Sequence, residues 1–276
     1  MNVPTLDARF QDAVDAIDSG DPGRLKRLLA EDPGLVRERV DGGEGYFRQP
    51  YLLWFVAENP IRNGRLPANI AEVTRLILLA AEGVESRQEQ VDYALGLVCS
   101  GRVTRESGVQ RELIDVLGDA GADLDGALLP ALAHREIAAA ERLLERGAAP
   151  GLTAAVCLGR ADDVARLAPA SGAGERQEAF AAAALYGNAR ALAILIGLGV
   201  DVDAYNPPGL HAHGTALHHA VDSGSLDAVR ALVEAGASLG ARDRVHQGTP
   251  LDWAEYLERP EIATYLREKA TGGEPA

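Results

Sequence analysis

Cysteine is nearly absent from the sequence, which contains only Cys99 and Cys157 in 276 residues. A disulfide framework and a zinc site built from thiolates both need more cysteines, so the sequence excludes these two classes. Both residues lie in apolar runs, where cysteine usually serves as a small core residue. We therefore expect free thiols and a reducing compartment, the cytoplasm.

Aromatic residues are also scarce, at 5% of the chain, whereas there are 30 glycines and many alanines and leucines. Small and aliphatic side chains suit closely packed helices better than a β-sandwich. The 47% of hydrophobic residues and 25% of charged residues are ordinary for a globular protein. The composition therefore predicts an all-α fold.

Long apolar segments are missing as well. Charged residues interrupt the longest apolar stretches well before the length that a membrane span needs. The first residues show no basic region followed by an apolar one, as a secretory signal would. We expect neither a membrane span nor a signal peptide.

Basic residues are outnumbered, with 27 Lys and Arg against 41 Asp and Glu and a formal net charge of −14. An acidic field repels phosphate backbones, and no run of basic residues compensates for it, so we expect no nucleic-acid binding. The field fits a basic protein partner. It serves solubility equally well, so the charge alone does not identify a partner.

Catalytic motifs are not found. The sequence lacks a GxSxG motif, a P-loop and a GxGxxG segment that opens a helix after a strand. It also lacks an HExxH helix and the carboxylate spacing of a catalytic metal site. We predict a protein that is not an enzyme, with no catalytic residues, no cofactor and no metal ligands.

What the sequence does contain is an internal repeat. The segment GTALHHA at 214–220 recurs as GTPLDWA at 248–254, an offset of 34 residues, and each is followed by an amphipathic stretch. Upstream, apolar helical segments each end in a glycine turn. Only glycine enters the left-handed region at low cost, so a glycine after an apolar segment predicts the end of a helix. These turns begin at Gly121, Gly147, Gly172, Gly199 and Gly236.

The spacing of these turns predicts about eight helix pairs in a single domain over 1–276. We call the loop that joins one pair to the next a finger, and some fingers are expected to be short β-hairpins. The short spacing between glycine turns over 124–173 leaves little room for fingers, whereas the finger over 201–215 is extended. The approximate units are 5–39, 40–85, 86–123, 124–149, 150–173, 174–203, 204–239 and 240–270, with a tail at 271–276.

The repeated segment resembles the ankyrin signature Thr-Pro-Leu-His-x-Ala, which recurs about every 33 residues. Ala216 replaces its proline in one copy, and Asp252 replaces its histidine in the other. The resemblance implies an all-α ankyrin-repeat solenoid of helix-turn-helix units, in which Thr215, His218 and Thr249 tie neighbouring loops together. The chain also resembles a bacterial subgroup of ankyrin proteins with an LLWFVAENPIR-type segment.

The resemblance also implies a function, because members of this family bind partners along a concave face through finger tips and residues late in each first helix. We predict a monomeric protein-interaction module, an adaptor or inhibitor, with an unknown protein partner of basic character. A scaffold without a specialised groove is a further alternative. The positions that the resemblance assigns to the groove are Asp18, Ser19, Glu58, Asn59, His134, Tyr186, Asp222, Ser223 and Tyr256.

The finger at 204–213 is the strongest candidate for a local binding feature. Its two prolines and one glycine predict a stiff loop, which loses less entropy on binding than a flexible one. Tyr205, His211 and His213 are expected to project from it, and tyrosine is favoured at interfaces. An insertion tolerated on a surface loop is the alternative.

Five of the six histidines lie between 211 and 246. A His-x-His segment can supply two zinc ligands, but a site needs three or four. The alternative function is therefore a small-ligand or metal-binding protein that uses the histidine-rich finger at 211–219. Structural roles are the simpler expectation for these histidines.

A second candidate is the aromatic segment around 46–55. Tyr46 and Phe47 follow the flexible sequence DGGEG, so we expect them to be exposed and available to a partner, since aromatic residues dominate interface hot spots. Trp54, within LLWFVA, is expected in the core.

Overall fold

The computed structural model describes residues 6–271. Within this range the chain contains sixteen α-helices, three 3₁₀ helices and one isolated β-bridge. The predicted all-α class is confirmed. The chain forms two compact units, one ending at Ala149 and the other beginning at Pro150. None of the described helices combines the length and apolar character needed to cross a membrane. Residues 272–276 of the predicted tail lie outside the described residues.

The first unit contains four helix pairs: α1 with α2, a 3₁₀ helix with α3, α4 with α6, and α7 with α8. The first members of these pairs pack on each other in one layer, and the second members pack in another. The 3₁₀ helices are Pro33–Val36, Gly45–Phe47 and Leu52–Ala57, of which the last is the pair member. The α-helices are α1 (Ala8–Ser19), α2 (Pro22–Glu31), α3 (Ile70–Ala80), α4 (Arg87–Cys99), α5 (Arg102–Glu106), α6 (Gln110–Asp119), α7 (Leu124–Ala133) and α8 (Ile137–Glu145).

The second unit repeats this arrangement with four pairs: α9 with α10, α11 with α12, α13 with α14, and α15 with α16. The first helices again stack in one layer and the second helices in the other. Each unit is thus a solenoid, and the described residues form the eight predicted pairs. The helices are α9 (Leu152–Cys157), α10 (Ala161–Leu167), α11 (Ala173–Leu185), α12 (Ala189–Gly197), α13 (Ala216–Ser223), α14 (Leu226–Glu234), α15 (Pro250–Tyr256) and α16 (Pro260–Thr271).

Local sequence signals explain where the helices begin and end. Gly20 ends α1 with a φ of 65°, in the left-handed region that glycine enters at low cost. The Asp21 side chain accepts a hydrogen bond of 2.8 Å from the Arg24 N–H, and Pro22 is the first residue of α2. An acidic cap followed by proline satisfies the free amides of a helix start, so the boundary follows from the sequence.

One of the predicted glycine turns is wrong. Gly172 has a φ of −69° and stands at the N-terminus of α11, whereas α10 already ends at Leu167. Its neighbours Gly199 and Gly236 have φ values of 78° and 92°, as a glycine turn requires. The shorter α10 is followed by Pro169, which does not continue a helix readily and so separates the helix from the glycine.

The segment Leu52–Ala57 is a 3₁₀ helix whose six side chains are all buried. Trp54 is in the core, as predicted, and its indole N–H donates to the carbonyl oxygen of Gln90 at 3.2 Å. The expectation that Phe47 is exposed is wrong. The Phe47 ring is completely buried, and its centroid lies 5.2 Å from that of Phe55, because the segment after the glycine-rich loop folds back onto the core.

Both cysteines are free and buried, as predicted. Burial raises the pKa of the Cys157 thiol to about 12 and that of Cys99 further. Because the thiolate is the reactive form, both residues serve as core side chains rather than nucleophiles.

Candidate functional site

Two fingers of the second unit are built around equivalent buried residues, Asn206 and Asp243. The N–H of Asn206 donates to the Gly214 carbonyl oxygen, and the N–H of Asp243 donates to that of Gly248, each at 2.9 Å. Each finger is therefore closed by one backbone hydrogen bond just before the following helix. Within the part of the chain that the structure describes, one bridge pair, Tyr205 with Thr215, stands for the predicted β-hairpins.

Asp243 organises the second of these fingers. Its carboxylate accepts hydrogen bonds from the N–H groups of Val245, His246 and Gly248 and from the Trp253 indole at 3.0 Å. Burial raises the pKa of Asp243, but the donated hydrogen bonds outweigh it and hold the pKa below its usual range. The finger thus has a charged centre that fixes its backbone and the position of Trp253.

His218 joins the two fingers. Its Nδ1 accepts from the Thr215 N–H at 3.2 Å, and its Nε2 lies 3.1 Å from the carbonyl oxygen of Gly248. These two contacts require the neutral tautomer that carries its proton on Nε2. Thr249 and Asp252 form the equivalent capping box of α15. His218 ties the neighbouring loops together as predicted, whereas Thr215 and Thr249 are structural by capping their own helices.

Tyr205 does not project from its finger, contrary to the sequence-based expectation. Its hydroxyl donates to the carbonyl oxygen of Arg242 at 2.6 Å, and the Arg244 guanidinium lies 4.0 Å above its ring. The backbone N–H of Arg244 donates to the carbonyl oxygen of His213 at 2.7 Å. The tyrosine holds the two fingers together, because an apolar ring gains more from packing between loops than from exposure to water.

The histidines of the extended finger pack against one another. The ring centroids of His211, His213 and His219 are 5.5 to 6.1 Å apart, and His219 Nε2 lies 3.2 Å from the His211 carbonyl oxygen. Burial, reinforced by the neighbouring imidazoles, lowers the pKa of His219 to about 4. Within the described residues, no three His, Cys, Asp or Glu side chains are grouped so as to hold a metal ion.

A cavity of about 660 Å³ lies beside these fingers, and we call it the C-terminal groove. Three predicted binding residues, His213, Asp222 and Tyr256, meet there, and Tyr256 is 86% exposed. The groove is lined by two carboxylates and by no lysine or arginine. The remaining lining residues are His246, Gln247, Gly248, Asp252, Trp253 and Leu257.

Three other predicted residues do not line this groove. Ser223 ends α13, and its hydroxyl donates to the Ala220 carbonyl oxygen at 2.7 Å. Tyr186 follows α11 and contacts Cys157, and His211 lies within the histidine cluster. Their part in binding stays a prediction.

The first unit contains a separate cavity of about 590 Å³, which we call the N-terminal groove. It brings together Tyr46, Glu58, Asn59 and His134, four residues that the sequence assigned to binding. Tyr46 is 44% exposed, as predicted, and its hydroxyl donates to Asn59 Oδ1 at 2.7 Å. The remaining lining residues are Ile61, Asp92, Tyr93, Gly96, Leu97, Ser100, Arg102, Asp123, Gly126 and Pro130.

Glu58 is buried and is not a contact residue, which corrects the sequence-based assignment. Its carboxylate accepts from the N–H groups of Arg62 and Gly64 at 2.8 and 2.9 Å and from that of Asn63. The Arg62 guanidinium lies 3.0 Å from its other oxygen. The glutamate fixes the loop that follows the 3₁₀ helix, because a buried carboxylate is stable only when donors surround it.

Sequence reasoning missed Tyr93 and Asp92, which both line the N-terminal groove. Tyr93 stacks on Trp54 with a centroid distance of 4.2 Å, and its hydroxyl donates to the Tyr46 carbonyl oxygen. The available signal was a single tyrosine in the otherwise aliphatic end of α4, preceded by an aspartate.

Comparison with known families finds a match within the second unit. A family model described as ankyrin repeats (3 copies) matches residues 152–243 and 180–274. Among curated proteins, the mouse (Mus musculus) "Ankyrin repeat and SOCS box protein 6" is 40% identical over 75 residues. That segment covers 27% of this chain and 17% of the mouse protein, so the chain spans only a small part of that relative.

Proposed function

We propose that this chain, whose residues 152–274 match a family model of ankyrin repeats, is an adaptor or inhibitor that binds a partner protein through the C-terminal groove. Ankyrin repeats indicate a protein–protein interaction module and are generally not enzymatic. The proposed residues of first contact are Tyr256 and Asp222, with His213 and His246 at the edge.

The observation that carries this proposal is the placement of Tyr256. It is 86% exposed at the end of α15, in the same groove as Trp253, whose indole is fixed by Asp243. Exposed aromatic residues on rigid supports are favoured binding hot spots, since little entropy is lost when a partner covers them. At this exposure most of the Tyr256 side chain lies outside the packing of the unit.

Charge indicates the class of partner. Among the described residues, the groove carries the carboxylates of Asp222 and Asp252 and no lysine or arginine, and the whole chain has a formal net charge of −14. A partner segment with basic residues beside an apolar one matches this surface, and long-range attraction would speed its association. A stable interface buries about 1,200–2,000 Å² in total, so the contact must extend beyond the groove, for example over the exposed Val245.

The alternative, a metal- or ligand-binding histidine finger, has less support. The imidazoles of the finger contact one another and backbone oxygen atoms, and burial lowers the pKa of His219. Elemental analysis of the untagged protein tests it, and stoichiometric metal would favour this alternative. We further propose a monomer in the reducing cytoplasm, where the two buried thiols stay free.

Affinity capture from a lysate of the source cells tests the proposal. The matched baits are the native protein, Tyr256→Ala and Leu79→Ala, since Leu79 is also exposed (63%) but lies on α3 in the other unit. We expect at least one protein to be retained by the native bait and by Leu79→Ala but lost with Tyr256→Ala. Equal recovery of every captured protein by all three baits contradicts the C-terminal groove as the binding site.

A further inference from the structure

We propose that the N-terminal groove is a second binding site, which takes one basic side chain, arginine or lysine, presented by a protein segment. The groove is lined entirely by residues of the first unit, between Tyr46 and His134. The proposal therefore stands independently of the C-terminal groove, and either can fail without the other.

The groove exists because two of the helices beside it carry glycine where a side chain would fill the space. Gly96 of α4 and Gly126 of α7 both line it. A Cβ atom at Gly96 would meet nothing closer than Pro130 Cγ at 4.0 Å. At Gly126 a Cβ atom would lie 2.7 Å from Asp123 Oδ2, so glycine keeps that carboxylate accessible from the groove. The apolar floor is formed by Ile61, Leu97 and Pro130.

The aromatic wall of the groove is held in place before any ligand arrives. The Tyr46 hydroxyl donates to Asn59, whose amide in turn donates to the Leu97 carbonyl oxygen at 3.3 Å. Tyr93 is fixed through its stacking on Trp54 and its hydrogen bond to the Tyr46 carbonyl. Burial raises the pKa of both tyrosines, so both rings are neutral phenols at physiological pH. A pre-organised wall of this kind reduces the entropy lost on binding.

The charges in the groove favour a cation. Its charged lining consists of three carboxylates and one guanidinium. Glu58 is neutralised by Arg62, and Arg102 lies 3.0 Å from Glu106. The two remaining carboxylates belong to Asp92 and Asp123, which are linked by a hydrogen bond of 2.7 Å from the Asp123 N–H to Asp92 Oδ1.

A side chain that combines a long apolar stem with a terminal cation fits these features together. The stem would lie on the apolar floor, and the charged end would contact the two carboxylates beside the tyrosine rings. The same aromatic cluster already binds one guanidinium, because Arg39 lies 4.2 Å above the ring of Tyr51 and 5.5 Å above that of Trp54. The two carboxylates would repel an anionic ligand, and a purely apolar ligand would lack the charged end that they attract.

Four substitutions separate this site from a merely structural one. Asp92→Asn retains an oxygen that accepts the Asp123 N–H, and Asp123→Asn retains an N-cap for α7, since asparagine caps as well as aspartate. The double variant therefore removes charge while preserving the fold. Gly96→Ala narrows the groove by one methyl group that meets Pro130 only at van der Waals distance. Asp227→Asn, on α14 of the other unit, is the control for loss of one charge.

The test is an NMR titration of the full chain with the capped peptides acetyl-Gly-Leu-Arg-Leu-Gly-amide, its Lys counterpart and its Gln counterpart. We expect saturable shifts of the amide signals around Tyr93 and Pro130 with the Arg and Lys peptides, and affinity for the Gln peptide at least about tenfold weaker. The Asp92→Asn/Asp123→Asn variant should lose this preference, and Gly96→Ala should bind more weakly, while Asp227→Asn behaves as the native protein. Equal affinity for the three peptides, shifts confined to other surfaces, or no saturable binding of the Arg peptide overturns the proposal.

Discussion

His218 Nε2 lies 3.1 Å from the carbonyl oxygen of Gly248, and so one imidazole connects two consecutive helix pairs. The ring is completely buried, and its other nitrogen accepts from the Thr215 N–H. Both nitrogen atoms are therefore bonded to backbone groups, one in each of the two consecutive repeats. The stacking of repeats in this unit depends on such polar links as well as on apolar packing.

Replacing His218 with alanine should destabilise the protein by about 2–4 kcal/mol, because the change opens a cavity and leaves the buried Thr215 N–H without its acceptor. Urea unfolding followed by circular dichroism measures the difference in the free energy of unfolding. His246→Ala is the control, since His246 is exposed at a finger tip and its loss should cost less than about 0.5 kcal/mol. Similar losses in the two variants would contradict the assigned role of His218.

Replacing Asp243 with asparagine should also be costly, by about 2–3 kcal/mol at neutral pH. Its two oxygen atoms accept four hydrogen bonds, and an amide nitrogen in place of one oxygen faces donors instead of accepting from them. The folded-state pKa of Asp243 lies below its usual range, so its contribution to stability is complete above about pH 4 and is lost as the pH falls further. Unfolding free energies at pH 7 and pH 3 should therefore differ less for Asp243→Asn than for the native protein.

The pH dependence of stability should reveal His219. Burial and the neighbouring His211 and His213 lower its pKa from about 6.5 to about 4, while Asp222 acts in the opposite direction. The folded state keeps this imidazole neutral, so its contribution is complete above about pH 6.5 and is lost as the pH falls toward 4. His219→Gln retains a nitrogen that can donate to the His211 carbonyl, and it should flatten the slope of unfolding free energy against pH by up to about 1.4 kcal/mol per pH unit. Identical slopes for both proteins between pH 4.5 and 6.5 would contradict the assignment.

Removing only the hydroxyl of Tyr205 tests the link between the fingers. Tyr205→Phe loses the hydrogen bond to the Arg242 carbonyl oxygen but keeps the ring beneath Arg244. We expect a loss of about 0.5–1.5 kcal/mol in the free energy of unfolding and faster hydrogen exchange at 242–248. Unchanged hydrogen exchange at 242–248 in Tyr205→Phe would contradict the proposed link between the fingers.

The repeat was predictable from the sequence because each helix pair carries its own signals. Acidic caps, prolines and glycine turns act within a few residues, so they can be read locally, as at Asp21 and Gly236. Gly172 failed because a glycine at the start of a helix looks the same in sequence as one at its end. Only the earlier end of α10 distinguishes the two cases.

The grooves were predictable only in part. Position late in a first helix placed Asn59 and Tyr256 beside the two cavities, because that position is set by the repeat, while their part in binding stays a prediction. It did not distinguish exposed Tyr46 from buried Phe47, since burial depends on where a loop folds back. Tyr93 was missed because its role depends on contacts with residues 39 or more positions away in the sequence. Asp243 was missed because its role depends on hydrogen bonds from the backbone amides of its own finger.

Isothermal titration of the partner identified by affinity capture tests the central claim most directly, with the native protein, Tyr256→Ala and Leu79→Ala measured at low and high salt. The C-terminal groove predicts a Kd at least about tenfold weaker for Tyr256→Ala and no change for Leu79→Ala. It also predicts weaker native binding at high salt, since we propose a basic partner. Binding by Tyr256→Ala as tight as that of the native protein would contradict the account.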